Sequence, residues 1–227
     1  MLFRSVAKRA GWTDPKTQSK KSAPRQTGDE DVRLITASSI TPEPITWLWD
    51  GWLAQGKLHI LAGQPGTGKT TIAMTFAAAV SAGRAWPDGT CSPVADVLIW
   101  SGEDSPADTL VPRLIASGAD RGRVHFVGET VDGLNEVRPF DPSIDMPALQ
   151  ARASSIKDIR LLIVDPIVSA VNGDSHKNAE VRRSLAPLVE FAEQRGAALI
   201  GISHFTKGTS GRDPLERVTG SIAFAAV

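Results

Sequence analysis

Residues 63–70 read Gly63-Gln64-Pro65-Gly66-Thr67-Gly68-Lys69-Thr70, the spacing G-x-x-x-x-G-K-[ST] of a phosphate-binding loop. Glycines at these positions let the backbone curl until its N–H groups point at phosphate oxygens. A helix that starts at once afterwards adds partial positive charge at the same place. Lys69 is expected to reach the β- and γ-phosphates of a nucleoside triphosphate, and Thr70 to offer its hydroxyl to Mg²⁺. With Thr71 at the helix start, residues 63–71 make the expected ATP-contacting stretch. The competing reading, a glycine-rich turn before a core helix, accounts less well for the strand–loop–helix context.

Two further acidic positions extend this chemistry. Arg160-Leu-Leu-Ile-Val-Asp165 is an apolar strand ending in a carboxylate. Downstream of a phosphate loop, such an Asp is placed to assist the Mg²⁺ shell, so Thr70 and Asp165 form the expected metal pair. Val97-Leu-Ile-Trp-Ser-Gly-Glu103-Asp104 is a second apolar strand ending in acid. Hydrolysis needs a group that aims water at the γ-phosphate, and Glu103 is the candidate. The alternative is that Glu103 and Asp104 only supply negative charge at a helix start. A third strand, Ala197-Ala-Leu-Ile-Gly-Ile-Ser-His204, ends in an imidazole that can hydrogen-bond the γ-phosphate and register its loss. A structural histidine is the competing reading. His59 and His125 lie within apolar strands and read as structural. No Cys/His grouping points to zinc.

These groups need strands that end side by side. From Lys57 onward, strands are predicted at 57–62, 96–101, 123–127, 160–165 and 197–203. Helices are predicted at 69–82, 105–117, 146–156 and 178–195. Alternation with nearly continuous apolar strands implies an α/β fold, a mostly parallel sheet with helices on both faces. Gly83 can cap the first helix. Ser105, Pro106 and Asp108 read as a capping box before the second, and Pro112 argues against an unbroken helix there. Residues 128–145 read as a long loop with weak structure.

The chain has 227 residues and a formal net charge of +0. It is long enough for one such domain, and bulk charge gives no argument for nucleic acid. Its single cysteine, Cys91, excludes an intramolecular disulfide and fits a reducing compartment. No apolar run approaches the roughly 20 residues that span a bilayer. The expectation is a cytoplasmic soluble protein with no membrane partner.

Residues 1–33 read as a basic, disordered tail, carrying Arg4, Lys8, Arg9, Lys16, Lys20, Lys21 and Arg25. Residues 34–227 read as the domain itself. Trp47, Trp49 and Trp52 either pack on the domain edge or offer a ring for base stacking. The segments at 172–178 and 205–221 are rich in Gly, Ser, Asn and basic residues. Contact with nucleic-acid phosphates and plain solvent exposure explain that composition equally well.

The set of stretches 56–70, 100–110, 162–166, 174–183, 202–208 and 220–224 resembles the RecA-like P-loop ATPases. Within them it is similar to the AAA-family ATPases that include the plasmid replicative helicase RepA. The likeness covers about residues 40–227. It implies that Glu103 activates water, Asp165 assists Mg²⁺ and His204 senses the γ-phosphate. It also implies a homo-oligomeric ring with ATP at subunit interfaces, an arginine or lysine finger from the neighbour, and single-stranded DNA as partner. Relatives continue past the Gly-Ser-Ile-Ala-Phe segment into further strands. The sequence therefore reads as truncated at its C-terminus, with Arg212 and Arg217 as remaining candidates for the finger.

Overall fold

The computed structural model describes residues 33–131, 133, 135–171, 178–206, 209, 211, 213, 217 and 218. The tail at 1–32, the segment 172–177, Lys207, Arg212 and the stretch from 219 to 227 lie outside the described residues. The chain divides into two units, Met1–Glu43 and Pro44–Val227. In the first, the described residues are exposed and form one 3-10 turn, Ala37–Ser39.

The second unit opens with an antiparallel pair, β1 (Trp47–Trp49) and β2 (Leu53–Ala54). There follow β3 (Leu58–Gly63), α1 (Lys69–Ala82) and β4 (Asp96–Ser101). A π-helical turn, Pro106–Leu110, runs into α2 (Val111–Ala116), and β5 (Val124–Phe126) comes next. A small antiparallel hairpin joins β6 (Thr130–Val131) to β7 (Val137–Arg138). The unit continues with α3 (Pro142–Ala153), β8 (Ile159–Asp165), α4 (Asn178–Arg195) and β9 (Ala198–His204).

Five strands form one parallel sheet in the order β3-β9-β8-β4-β5. Alternate residues of each strand feed opposite faces, as the two-residue strand period requires. Val97, Ile99, Leu161, Ile163, Ile200 and Ile202 join Met74, Ala77 and Val80 of α1 on one face. Leu98, Trp100, Leu162, Val164 and Leu199 join Met146 of α3 and Leu185, Leu188 and Phe191 of α4 on the other. Both faces are therefore covered, and the α/β expectation holds. Among the described residues no helix is long and apolar enough to cross a membrane.

The departures are local. Gly83 takes the left-handed conformation (φ 63°) and caps α1 as expected. Ser105 makes no side-chain cap bond, so the capping box does not form. Instead the Leu110 N–H reaches back to the Ser105 carbonyl at 3.1 Å. This wider turn precedes Pro112, which has no N–H to give. The predicted 128–145 loop holds the β6–β7 hairpin and the start of α3. That helix begins at Pro142, with Asp141 accepting from the Ser143 N–H. An Asx N-cap followed by proline at the first helical position is a sufficient start signal, and apolar periodicity from Met146 onward hid it. His59 is structural, as read: its Nε2 accepts from the Ala54 N–H at 3.0 Å, and burial pushes its pKa below the ordinary value. His125 pairs with Asp96 at 3.1 Å.

Candidate functional site

The phosphate loop leaves β3 at Gly63 and enters α1 at Lys69. Gly66 and Gly68 have φ of 76° and 83°, a conformation that costs an L side chain but not glycine. Gln64, Pro65, Gly66, Thr67 and Gly68 are exposed, and Thr71 faces solvent on the first turn of α1. Thr67 Oγ1 donates to the Gln64 carbonyl at 2.8 Å, tying the loop across its width. A Cβ on Gly63 would come within 3.1 Å of that hydroxyl.

Lys69 is buried, and its ammonium meets the Gly63 carbonyl at 3.1 Å, the Gln64 carbonyl at 3.0 Å and His204 Nδ1 at 3.2 Å. An ammonium has three donors and no acceptor, so His204 Nδ1 must accept here and the imidazole proton sits on Nε2. Burial pulls the Lys69 pKa down, while Asp165 and Glu103 oppose that by attraction.

Strand register brings the remaining groups together. Gly63 pairs with His204 across β3 and β9, and Ser101 pairs with Asp165 across β4 and β8. The Gly102 N–H donates to the Asp165 carbonyl at 2.8 Å, fixing the turn that carries Glu103. The loop, His204, Asp165 and Glu103 thus share the carboxyl edge of the sheet, where open α/β folds bind ligands. His204 Nε2 lies 3.5 Å from Glu103 Oε2. One imidazole therefore links the loop lysine to the candidate water-activating carboxylate.

Thr70 Oγ1 donates to Asp165 Oδ2 at 2.7 Å. Asp165 is buried. Burial raises its pKa, and Glu103 and Asp104 add like-charge repulsion, against the Thr70 hydrogen bond and His204. A carboxylate in that condition gains from a nearby cation. One hydroxyl and one carboxylate are hard oxygen donors of the kind that hold Mg²⁺ with water and phosphate completing the shell. Among the described residues no group of three or more His, Cys, Asp or Glu is placed to hold a metal by itself. The Thr70–Asp165 pair fits the metal.

The structure also gives the two adjacent acids different partners. Asp104 Oδ2 meets Arg113 NH1 at 3.0 Å, and its backbone N–H is held by Ser101 Oγ at 3.1 Å. Asp104 pins the strand-to-helix turn, while Glu103 is left facing His204. Arg113 is the positioning residue that sequence reasoning missed. Its only signal was a cation nine residues after an acid, which no local period marks.

A family model described as an AAA domain matches residues 23–210. The chain belongs to the AAA domain family. Membership in this P-loop ATPase family implies ATP binding and hydrolysis, with Mg²⁺ as the usual companion of the nucleotide. No curated protein matches this AAA domain.

The three tryptophans of the lead-in take separate roles. Trp49 is buried, stacks between Trp52 and Trp86 at 5.3 and 5.0 Å, and donates from Nε1 to Asp88 at 2.8 Å. Its ring is fully used in packing. Trp47 and Trp52 stay exposed.

Proposed function

We propose that this AAA domain is a Mg²⁺-dependent ATPase of the replicative-helicase or recombinase type, stimulated by single-stranded DNA. The observation that carries the ATPase reading is the contiguous chain Lys69–His204–Glu103 at the sheet's carboxyl edge. In this reading residues 63–71 cradle the phosphates, and Lys69 exchanges its carbonyl partners for β- and γ-oxygens. Thr70 and Asp165 hold Mg²⁺, which supplies charge neutralisation for the phosphate oxygens. Glu103 accepts the proton of the attacking water, a role worth roughly 10²–10⁴ in rate. His204, released by Lys69, is then free to hydrogen-bond the γ-phosphate and to report its departure.

Coupling to DNA rests on the segment that follows β9. The Phe205 N–H donates to the Gly63 carbonyl at 3.1 Å, the first residue of the phosphate loop. Phe205 bridges to Val218, and the Thr206 N–H donates to the Arg217 carbonyl at 2.7 Å. Thr206, two residues after His204 in the chain, and Arg217 are therefore joined to each other. The Gly, Ser and basic composition of the chain between them suits strand phosphates. Ring assembly, cytoplasmic location and a finger from the neighbour belong to this reading. Arg217 lies over the Phe205 ring at 4.2 Å in its own subunit.

The test is the ATP hydrolysis rate with and without single-stranded DNA, for the wild type and Glu103→Gln. Stimulation that the variant loses supports the proposal. Unstimulated turnover leaves an ATPase without the DNA role. Tight ATP binding with no turnover makes the protein a nucleotide-controlled switch.

A further inference from the structure

A cavity of about 1190 Å³ opens beside β5, lined by none of residues 63–71, 101–104, 165 or 204. It exists because β5 is three residues long and pairs in the main sheet with β4 alone, while α3 packs against α4. The outer end of the second core is thereby left open. Its walls are apolar: Leu98 and Phe140 from that core, with the half-buried Val127, Leu149 and Ile156.

Polar groups gather at its edges, and most are already matched. Asp145 is closed by Arg138, Thr130 and the Asp141 N–H. Asp96 faces His125 at 3.1 Å and Arg123 at 3.8 Å. Arg152 and Lys157, both exposed, line the cavity, and among the described residues their side chains make no hydrogen bond or ion pair. Glu129 is the remaining carboxylate of the lining. Two cations, Arg152 and Lys157, therefore stand against the one carboxylate of Glu129 beside the apolar walls. At about 1190 Å³ the volume lies somewhat above the usual range of small-molecule sites, roughly 300–1,000 Å³, so a ligand would fill part of it.

We propose that this cavity binds a small amphipathic anion, a medium-length hydrocarbon or ring system bearing a carboxylate. The apolar body lies against Leu149, Ile156 and Val127. The head group sits between Arg152 and Lys157, whose charges have no internal partner to leave.

The experiment is calorimetric titration of the full chain with decanoate, decanol and decyltrimethylammonium below their micellar concentrations. Decanoate is expected to bind once per chain, about tenfold tighter than the cationic probe. The double variant Arg152→Ala/Lys157→Ala should weaken decanoate by a similar factor and leave decanol unchanged. Leu149→Trp, which fills the cavity, should abolish binding while circular dichroism and the melting temperature stay at wild-type values. Should Leu149→Trp unfold, Ile156→Trp serves instead. Affinity indifferent to head-group charge, or no saturable binding, overturns the proposal. So does a sedimentation result in which the wild type is a dimer that Leu149→Trp dissociates, because a second copy then fills the cavity.

Discussion

Two buried carboxylates in this fold have opposite characters. Asp145, beneath the β6–β7 hairpin, has every neighbour it needs: Arg138 NH1 at 2.6 Å, Thr130 Oγ1 at 3.0 Å and the Asp141 N–H at 2.8 Å. Its pKa is lowered to about 2, chiefly by Arg138. Asp165, at the end of β8, has Thr70 and two like charges nearby, and burial raises its pKa. Both are equally hidden from solvent. Burial alone therefore does not distinguish a structural acid from a functional one. The balance of partners supplied by the fold does: Arg138 outweighs burial at Asp145, whereas burial and like charges outweigh Thr70 and His204 at Asp165.

The largest expected effect lies on the under-satisfied side. Glu103→Gln should lower the ATP turnover rate roughly 10²–10⁴-fold and leave ATP affinity within about threefold. Steady-state kinetics and equilibrium binding, measured together, check this. On the satisfied side, Asp145→Asn should leave nucleotide binding intact and cost about 2–3 kcal/mol of stability. It removes a two-pronged ion pair to a buried carboxylate. In a chain of this size the melting temperature should then fall by roughly 5–10 °C.

The contrast has a pH signature. Because Asp145 is lowered from 3.8 to about 2 on folding, its contribution is complete above about pH 4. It is lost as pH falls from there toward 2. The wild type should lose up to about 2 kcal/mol over that window, and Asp145→Asn should not. Denaturant titrations at pH 5, 3.5 and 2.5 measure the difference. Asp165 carries the opposite sign. Its raised pKa means that ionisation on the alkaline side costs stability. Asp165→Asn, which removes that charge, should therefore raise the melting temperature by about 2–4 °C while Mg²⁺-dependent turnover disappears. A loss of stability in Asp165→Asn would erase the distinction between the two acids.

How much of this was legible in the sequence follows from which interactions are local. The phosphate loop could be read because its motif is contiguous within residues 63–70 and lies between an adjacent strand and helix. The strand-end acids and His204 could be located because period-two apolar runs end there, and parallel register then places Gly63 beside His204 and Ser101 beside Asp165. Glu103 could be preferred to Asp104, but the contact that engages Asp104 could not be foreseen, since it depends on Arg113 swinging back across a helical turn. Asp145 and Arg138 were equally hidden, because the hairpin that unites them is four residues of strand in a segment without periodicity. The Trp49 stack needed Trp86, contributed from beyond α1. In each of these cases the partner is set by tertiary packing, to which local pattern is blind.

The central claim is that the strand-end cluster, with Lys69 at its centre, is where ATP binds. Calorimetric titration of Mg·ATP into the wild type and Lys69→Ala tests it most directly. The account predicts one site per chain in the wild type and at least about 100-fold weaker binding in the folded variant, the scale of a charged hydrogen bond lost to phosphate. Equal affinity in the two proteins would contradict it.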